Sequence, residues 1–379
     1  MKLAKGNIDW IIFLPVVGLL LFSIGLVYSA SAPISAEKYG GVDALFIKQS
    51  IRVVLSIFAL IFFSKIDYHI YDKLSKPIIL SAVVLLVCVL IFGVDAKEAR
   101  RQLDFGPIGF MPVEYAKFAV VLYFSCLLAK KQKVIKSFEN GMLPFLIWIG
   151  LVCLLVALQP NFSNMALILL IAMAMLFVGN TNLIHLIFVG IIGCIGACGF
   201  ALYADYRVAR IKAFFGMIDT PMQVQQALIA IGNGGIFGLG PGQSKQAYRF
   251  LPEAHGDFIF SIIGEEYGFI GLLVIIAAFC IIFLRGMQVA KKAPDIFGYF
   301  ISIGIVLTLA IYLLACAAVN TGLLPATGIP LPFLSYGGSA VIIYSAAVGI
   351  LLNISAQAKV FVGNDNITAK NKSTTNPAS

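Results

Sequence analysis

Asp257 stands where a long polar loop meets a fresh apolar run, in Phe250-Leu251-Pro252-Glu253-Ala254-His255-Gly256-Asp257-Phe258-Ile259-Phe260. An ionisable side chain at the lip of a membrane helix is expensive and needs a reason to be there. One reason is capping, since a carboxylate there satisfies orphan amides and the helix dipole. The other is catalysis, which would make the protein an enzyme acting on a lipid-linked substrate. His255, two residues earlier, reads as an orienting or incidental neighbour. Glu265 and Glu266 follow two turns into the run, and adjacent like charges at that depth must face the bundle interior or a water-filled cavity. A second constellation opens another apolar run, Met111-Pro112-Val113-Glu114-Tyr115-Ala116-Lys117. Pro112 and Glu114 are helix-start chemistry, and Glu114 and Lys117, three apart, can pair on one face.

Basic residues gather near both constellations. Arg207, Arg210, Lys212, Lys245 and Arg249 lie between 204 and 257, and Lys97, Arg100 and Arg101 precede Glu114. Arginine suits bidentate contact with phosphate, so an anionic ligand explains them. A long loop also tolerates charge of either sign, and on charge alone the two readings stand level.

The elements that must position these residues are membrane helices. The chain is 60% hydrophobic and 12% charged, with 30 Phe in 379 residues and a mean hydropathy of +0.97. That excludes a soluble globule, and continuous apolar runs of about twenty residues exclude a β-barrel. The runs fall at 10–31, 47–64, 77–94, 113–129, 142–158, 163–179, 182–203, 258–284, 296–319 and 336–355. The predicted fold is an all-α integral membrane protein of about ten transmembrane helices. An even number places both termini on one side. Lys65, Lys73 and Lys76, then Lys130, Lys131, Lys133 and Lys136, then Arg285, Lys291 and Lys292 mark that side as cytoplasmic. Residues 1–9 form a cytoplasmic N-terminus, 10–355 the membrane domain, and 356–379 a disordered cytoplasmic tail. Lys2 and Lys5 before an apolar stretch imitate a signal peptide, but the stretch is too long for one and reads as an uncleaved first span. Seven cysteines without a CxxC pair and three histidines suggest neither a metal site nor a disulfide framework.

The large extracytoplasmic loop, 204–257, is expected to contain short helical or re-entrant segments. Its Gly232-Asn233-Gly234-Gly235-Ile236-Phe237-Gly238-Leu239-Gly240-Pro241-Gly242 lacks the lysine and hydroxyl of a phosphate loop and reads as a hairpin packed against protein. Asn320 to Gly338 holds prolines and glycines that forbid a regular helix, and is apolar enough to fold back to the membrane edge.

The stretch around Asp257, with Gly264-Glu265-Glu266 and Gly268-Phe269-Ile270-Gly271, resembles the SEDS family (shape, elongation, division and sporulation proteins). So do Gln226-Ala227-Leu228-Ile229-Ala230-Ile231-Gly232 and Gly322-Leu323-Leu324-Pro325 through Ser335-Tyr336-Gly337-Gly338-Ser339. The likeness covers about residues 10–355, and Glu253-Ala254-His255 with Asn320-Thr321-Gly322 resembles the division branch more than the elongation branch.

The resemblance implies a ten-span peptidoglycan glycosyltransferase that polymerises lipid II at the outer face of the bacterial cytoplasmic membrane, at the division septum. Asp257 matches the family's essential aspartate. Arg100, Arg101, Glu114, Lys117, Arg207 and Arg210 match residues suited to the substrate's pyrophosphate, with His255, Glu265, Glu266 and Ser339 in support. Implied partners are a class B penicillin-binding protein, other divisome proteins, lipid II and membrane lipids, with no nucleic acid. No cofactor is required by the residues. A divalent cation, magnesium or manganese, would suit the pyrophosphate, but its ligands are unknown. The alternatives are a lipid II flippase, an elongation-type polymerase, a ligase or polymerase using another undecaprenyl-linked donor, and a scaffold that only recruits the partner. Departures from the family pattern fall at Gln102, Met111-Pro112-Val113-Glu114, Asn161 and Gly256. Asn161 removes a carboxylate, and Gly256 replaces a threonine beside Asp257.

Overall fold

Lipid offers no hydrogen bonds, so a long apolar run must satisfy its backbone internally and closes into a helix. The computed structural model describes residues 6–96, 99–105, 108–202, 205–217, 221–251 and 254–374. Its helices are α1 (Trp10–Tyr39), α2 (Ala44–Lys65), α3 (His69–Phe92), α4 (Pro112–Lys131), α5 (Leu143–Leu158), α6 (Phe162–Val178) and α7 (Leu183–Leu202). They continue with α8 (Asp205–Phe214), α9 (Met222–Gly234), α10 (Lys245–Arg249), α11 (Ile259–Lys291), α12 (Ile296–Asn320) and α13 (Ser339–Thr374). The ten apolar runs fall on α1 to α7 and α11 to α13. Among the described residues eight helices are long and apolar enough to cross a membrane, and α6 and α7 are shorter apolar helices. The chain is an all-α multi-pass membrane protein.

Two features depart from the run boundaries. Pro77 lies inside α3, which begins at His69 rather than at the proline. A small antiparallel sheet, β1 (Val94–Ala96), β2 (Ala99–Phe105) and β3 (Ile108–Phe110), fills the connection between α3 and α4. It carries Arg100 and Arg101 up to the start of α4.

Packing sorts the helices. α4, α12 and the Ser339–Ala358 part of α13 are mostly buried. α2 lies along α13, α11 along α12, and α3 against α4. Phe58, Val54, Leu80, Ile147 and Ile184 turn outward, as lipid-facing residues do. One end of the bundle is rich in loops: the sheet, α8 to α10, and the segment 321–338. The other end, where α1 begins, is closed by polar ties between the helix ends.

α11 is broken at Gly268, whose φ of 67° and ψ of −164° suit glycine alone. The break frees backbone groups, and the glycine-rich segment takes them up. Leu239 N–H donates to Glu265 O at 2.9 Å and Gly240 N–H to Glu266 O at 3.0 Å. Phe269 N–H donates to Gly235 O at 2.9 Å and Ile270 N–H to Ile236 O at 3.2 Å. The hairpin after α9 is thereby fastened to the helix that begins beside Asp257.

Candidate active site

Asp257 closes a turn at residues 254–258, half-exposed at the loop-rich end. The helix cap position is Phe258, not Asp257. Asn320, at the end of α12, does the capping from outside: its Oδ1 accepts from Ser261 N–H at 3.2 Å and Ser261 Oγ at 2.7 Å. Its Nδ2 donates to the Asp257 carbonyl at 3.1 Å. The Asp257 carboxylate lies against Gly328, where an added Cβ would stand 3.1 Å from Oδ2. With a φ of 63° at Gly328, this backbone approach belongs to glycine.

The segment 321–338 forms the opposing wall. Tyr336 N–H donates to the His255 carbonyl at 2.9 Å, and the two rings meet edge to face with centroids 5.3 Å apart. Arg52 of α2 also meets the Tyr336 ring, with Cζ 4.1 Å from the centroid. Arg52 is only 6% exposed. Farther along, Ser339 Oγ accepts from Met111 N–H at 3.0 Å, joining α13 to the start of α4.

Behind this wall lies a buried polar cluster. Lys117 Nζ donates to Glu114 Oε1 at 2.7 Å, to Asn164 Oδ1 at 2.6 Å and to the Tyr312 hydroxyl. Tyr312 and Tyr344 both donate to Glu114 Oε2. Asn164 Nδ2 donates to Asn161 Oδ1 at 2.9 Å, linking the departure at 161 to the pair. An ion pair this enclosed holds only when its remaining donors and acceptors are also met. Here they are met from α4, α6, α12 and α13.

The basic residues divide. Arg101 donates from Nη2 to Pro160 O at 2.6 Å, bracing the sheet against the turn between α5 and α6. Arg210 donates from Nη1 to Ala326 O at 3.0 Å. Beneath it a cavity of about 170 Å³ opens between α8, α9 and residues 322–326, lined also by Phe214, Val224, Leu228 and Leu324. The side chains of Arg100 and Arg207 lie outside the described residues, as do Lys97, Pro252 and Glu253. Glu265 and Glu266 are both buried and serve the hairpin. Ser244 Oγ and Gln246 N–H donate to Glu265, and Ser29 Oγ donates to Glu266 from α1.

Asp257, His255, Arg210 and Ser339 therefore share the loop-rich end, joined through 321–339. Glu114 and Lys117 lie beneath them, and Glu265 and Glu266 stand to the side. Motif reading assigns no role to Arg52, Tyr312, Tyr344 or Asn164, nor to Tyr336 and Asn320, which stand inside the quoted motifs. Arg52 carries a usable signal, an ionisable residue inside an apolar run. The others are ordinary residues whose roles depend on which helices meet. Among the described residues, no group of three or more His, Cys, Asp or Glu is placed to hold a metal ion.

A family model described as cell cycle protein, covering FtsW, RodA and SpoVE, matches residues 10–360. A probable peptidoglycan glycosyltransferase FtsW of Geobacter metallireducens is 37% identical over 357 residues, 93% of this chain and 95% of that protein. Stage V sporulation protein E of Bacillus subtilis is also 37% identical, over 91% of this chain and 96% of its own. Among solved structures, a chain from a peptidoglycan synthase complex coordinating polymerization and crosslinking superposes with a TM-score of 0.76 at 22% identity, covering 93% of this chain and 98% of that one. The rod shape determining protein RodA of Thermus thermophilus gives a TM-score of 0.68 at 23% identity, over 92% of this chain and 96% of its own. The break in α11, the loop wall around Asp257 and the buried Glu114–Lys117 pair are thus features of a member of the FtsW/RodA/SpoVE family, to which this chain belongs.

Proposed function

We propose that the protein is a peptidoglycan glycosyltransferase that polymerises lipid II, with Asp257 as general base. The observation that carries this reading is the placing of Asp257. Its turn is held by Asn320, its carboxylate rests on Gly328, and capping of α11 is delegated to another residue. A carboxylate held this way at a water-facing end suits proton abstraction from a sugar hydroxyl. The acceptor 4-hydroxyl loses its proton to Asp257 as its oxygen bonds to the donor's anomeric carbon. The bond from that carbon to the diphosphate breaks with inversion, and undecaprenyl diphosphate leaves.

Developing charge on the leaving group calls for cations already in place. Arg100, Arg101, Arg207 and Arg210 supply them by proximity in fold or sequence, while Glu114 and Lys117, enclosed by partners, contribute through the field of their network. His255 and Ser339 shape the wall, and Glu265 and Glu266 hold the hairpin.

The same reading places the protein in the bacterial cytoplasmic membrane, with both termini cytoplasmic and the Asp257 end outside. Basic connections at the opposite end support it. Its relatives' names favour a division role at the septum, and the synthase complex among its structural neighbours favours a class B penicillin-binding protein as partner, alongside other divisome proteins.

The test is lipid II polymerisation by the purified protein with its penicillin-binding partner. Asp257→Asn is expected to lower the rate by about 10²–10⁴ while leaving the fold intact. Full polymerisation by the variant sinks the mechanism. Lipid II flipping by the wild type without polymerisation transfers the reading to a transporter.

A further inference from the structure

Arg52 is a guanidinium without an answer. It lies in the third turn of α2, 6% exposed, and its Nε and Nη1 have no hydrogen-bond partner. None of the ion pairs among the described residues includes it. Gln49, one turn earlier on the same face, leaves its own Oε1 unpartnered rather than accept from Arg52. Among the described residues, the electrostatic contact of Arg52 is with the Tyr336 ring at 4.1 Å, a cation–π contact that holds the plane of the guanidinium without satisfying its Nε and Nη1 groups. Lys117, equally buried, shows the opposite arrangement, with every donor direction met. Two cations at one end of the same bundle are thus treated differently, one sealed and one left open.

A buried charge without partners is strongly unfavourable in a protein interior and more so in a membrane helix. A chain keeps one when something else supplies the counter-charge. The place of Arg52 says what that is. Tyr336, which holds it, also touches the His255 ring and bonds the His255 carbonyl, two residues from Asp257. Arg52 therefore faces the wall that frames the proposed base, from a helix that no basic loop motif includes. Its free N–H groups present the planar fork that matches a phosphate.

We propose that Arg52 is an anion-binding residue of the Asp257 site, receiving phosphate oxygens of the polyprenyl diphosphate group, with Tyr336 as the plate that orients it. The assignment of the anion to a lipid diphosphate rests on the glycosyltransferase reading above. The binding of an anion rests on Arg52 itself. Because Tyr336 joins both groups, anion binding at Arg52 also fixes the turn that carries Asp257.

The experiment uses the full-length protein in phosphatidylcholine nanodiscs, with Arg52→Gln, Arg52→Lys and Asp257→Asn. Undecaprenyl diphosphate, inorganic diphosphate and phosphatidylglycerol are titrated separately, reading affinity and thermal unfolding. Arg52→Gln is expected to bind undecaprenyl diphosphate about 10- to 100-fold more weakly, the worth of lost charge-assisted hydrogen bonds. Its ligand-free unfolding temperature is expected to equal or exceed the wild type, because a buried unpaired charge has gone. Arg52→Lys recovers part of the affinity, and inorganic diphosphate competes in an Arg52-dependent way. Binding within twofold of wild type by Arg52→Gln overturns the proposal. So does a ligand-free unfolding temperature that falls in Arg52→Gln and stays low in Arg52→Lys, which marks a structural residue. An Arg52-dependent response to phosphatidylglycerol alone overturns it in favour of a bilayer lipid. Asp257→Asn separates the two readings: it is expected to bind undecaprenyl diphosphate normally and fail to polymerise. If Asp257→Asn polymerises, the mechanism fails while the Arg52 result stands.

Discussion

A lysine buried in a membrane helix keeps its charge only where the surroundings repay its lost hydration. Lys117 meets that condition through Glu114, Asn164 and Tyr312, and Glu114 in turn draws hydroxyls from Tyr312 and Tyr344. The sequence shows Glu114 and Lys117 as a pair at helical spacing, and that much of the cluster is legible. It does not show the pair's depth or its other three partners, because they come from helices distant in sequence. The arrangement has a testable asymmetry. Lys117→Met leaves the Glu114 carboxylate buried with only neutral donors, and is expected to destabilise the protein by about 3–5 kcal/mol. The double variant Glu114→Gln/Lys117→Met removes both charges and is expected to recover a large part of that loss. Unfolding of the four proteins of the cycle in detergent measures it. A double variant as unstable as the sum of the singles rules out the coupling.

At the scale of elements, the decisive device is the exchange of hydrogen bonds between the broken α11 and the glycine-rich segment. Glycines from 232 to 242 announce tight turns in the sequence, and the apolar runs announce α11. Nothing local says that they pair, since Gly268 looks like any glycine in a membrane helix. The sheet at 94–110 is hidden for a related reason: its strands are short and lack a long alternating pattern. Gly268→Ala tests the device. The backbone conformation alone is expected to cost about 1–3 kcal/mol for a residue with a Cβ. The new Cβ would also lie 2.4 Å from Gly238 N and 2.5 Å from Ile236 O, both backbone atoms that have little room to yield. Faster hydrogen exchange at residues 235–240 and 265–270 is expected, together with slower lipid II polymerisation, since α11 starts next to Asp257. Unchanged exchange there would mean that the break does not fasten the hairpin.

At the scale of the whole molecule, chemistry and closure occupy opposite ends. The loop-rich end holds Asp257, Arg52 and the 321–338 wall. At the other end, residues far apart in sequence tie the helix ends together. Asn353 accepts from Tyr68 N–H at 3.1 Å and donates to Ser64 O at 2.9 Å. Ser355 Oγ accepts from Asp9 N–H at 3.1 Å, and Asp9 meets Arg285 Nε at 3.0 Å. Gln357 Nε2 donates to Asp67 Oδ1 at 3.0 Å, and the His69 ring approaches the same oxygen at 2.7 Å. Burial pushes the Asp67 carboxyl up, but the Gln357 and His69 donors together outweigh it and hold the group below the ordinary aspartate range. A carboxyl lowered on folding stabilises the protein above its unfolded pKa of about 4, and that contribution disappears as pH falls through the lower folded value. The group is at the surface, so its worth is about 1 kcal/mol or less. Asp67→Asn is accordingly expected to unfold at a slightly lower temperature than wild type at pH 7. The gap should close as the pH falls through the lowered folded value, where the wild-type carboxyl is itself protonated. Thermal unfolding of both proteins across that range decides it: a gap independent of pH would mean that α13 is tied to the α2–α3 turn by shape and not by the Asp67 charge.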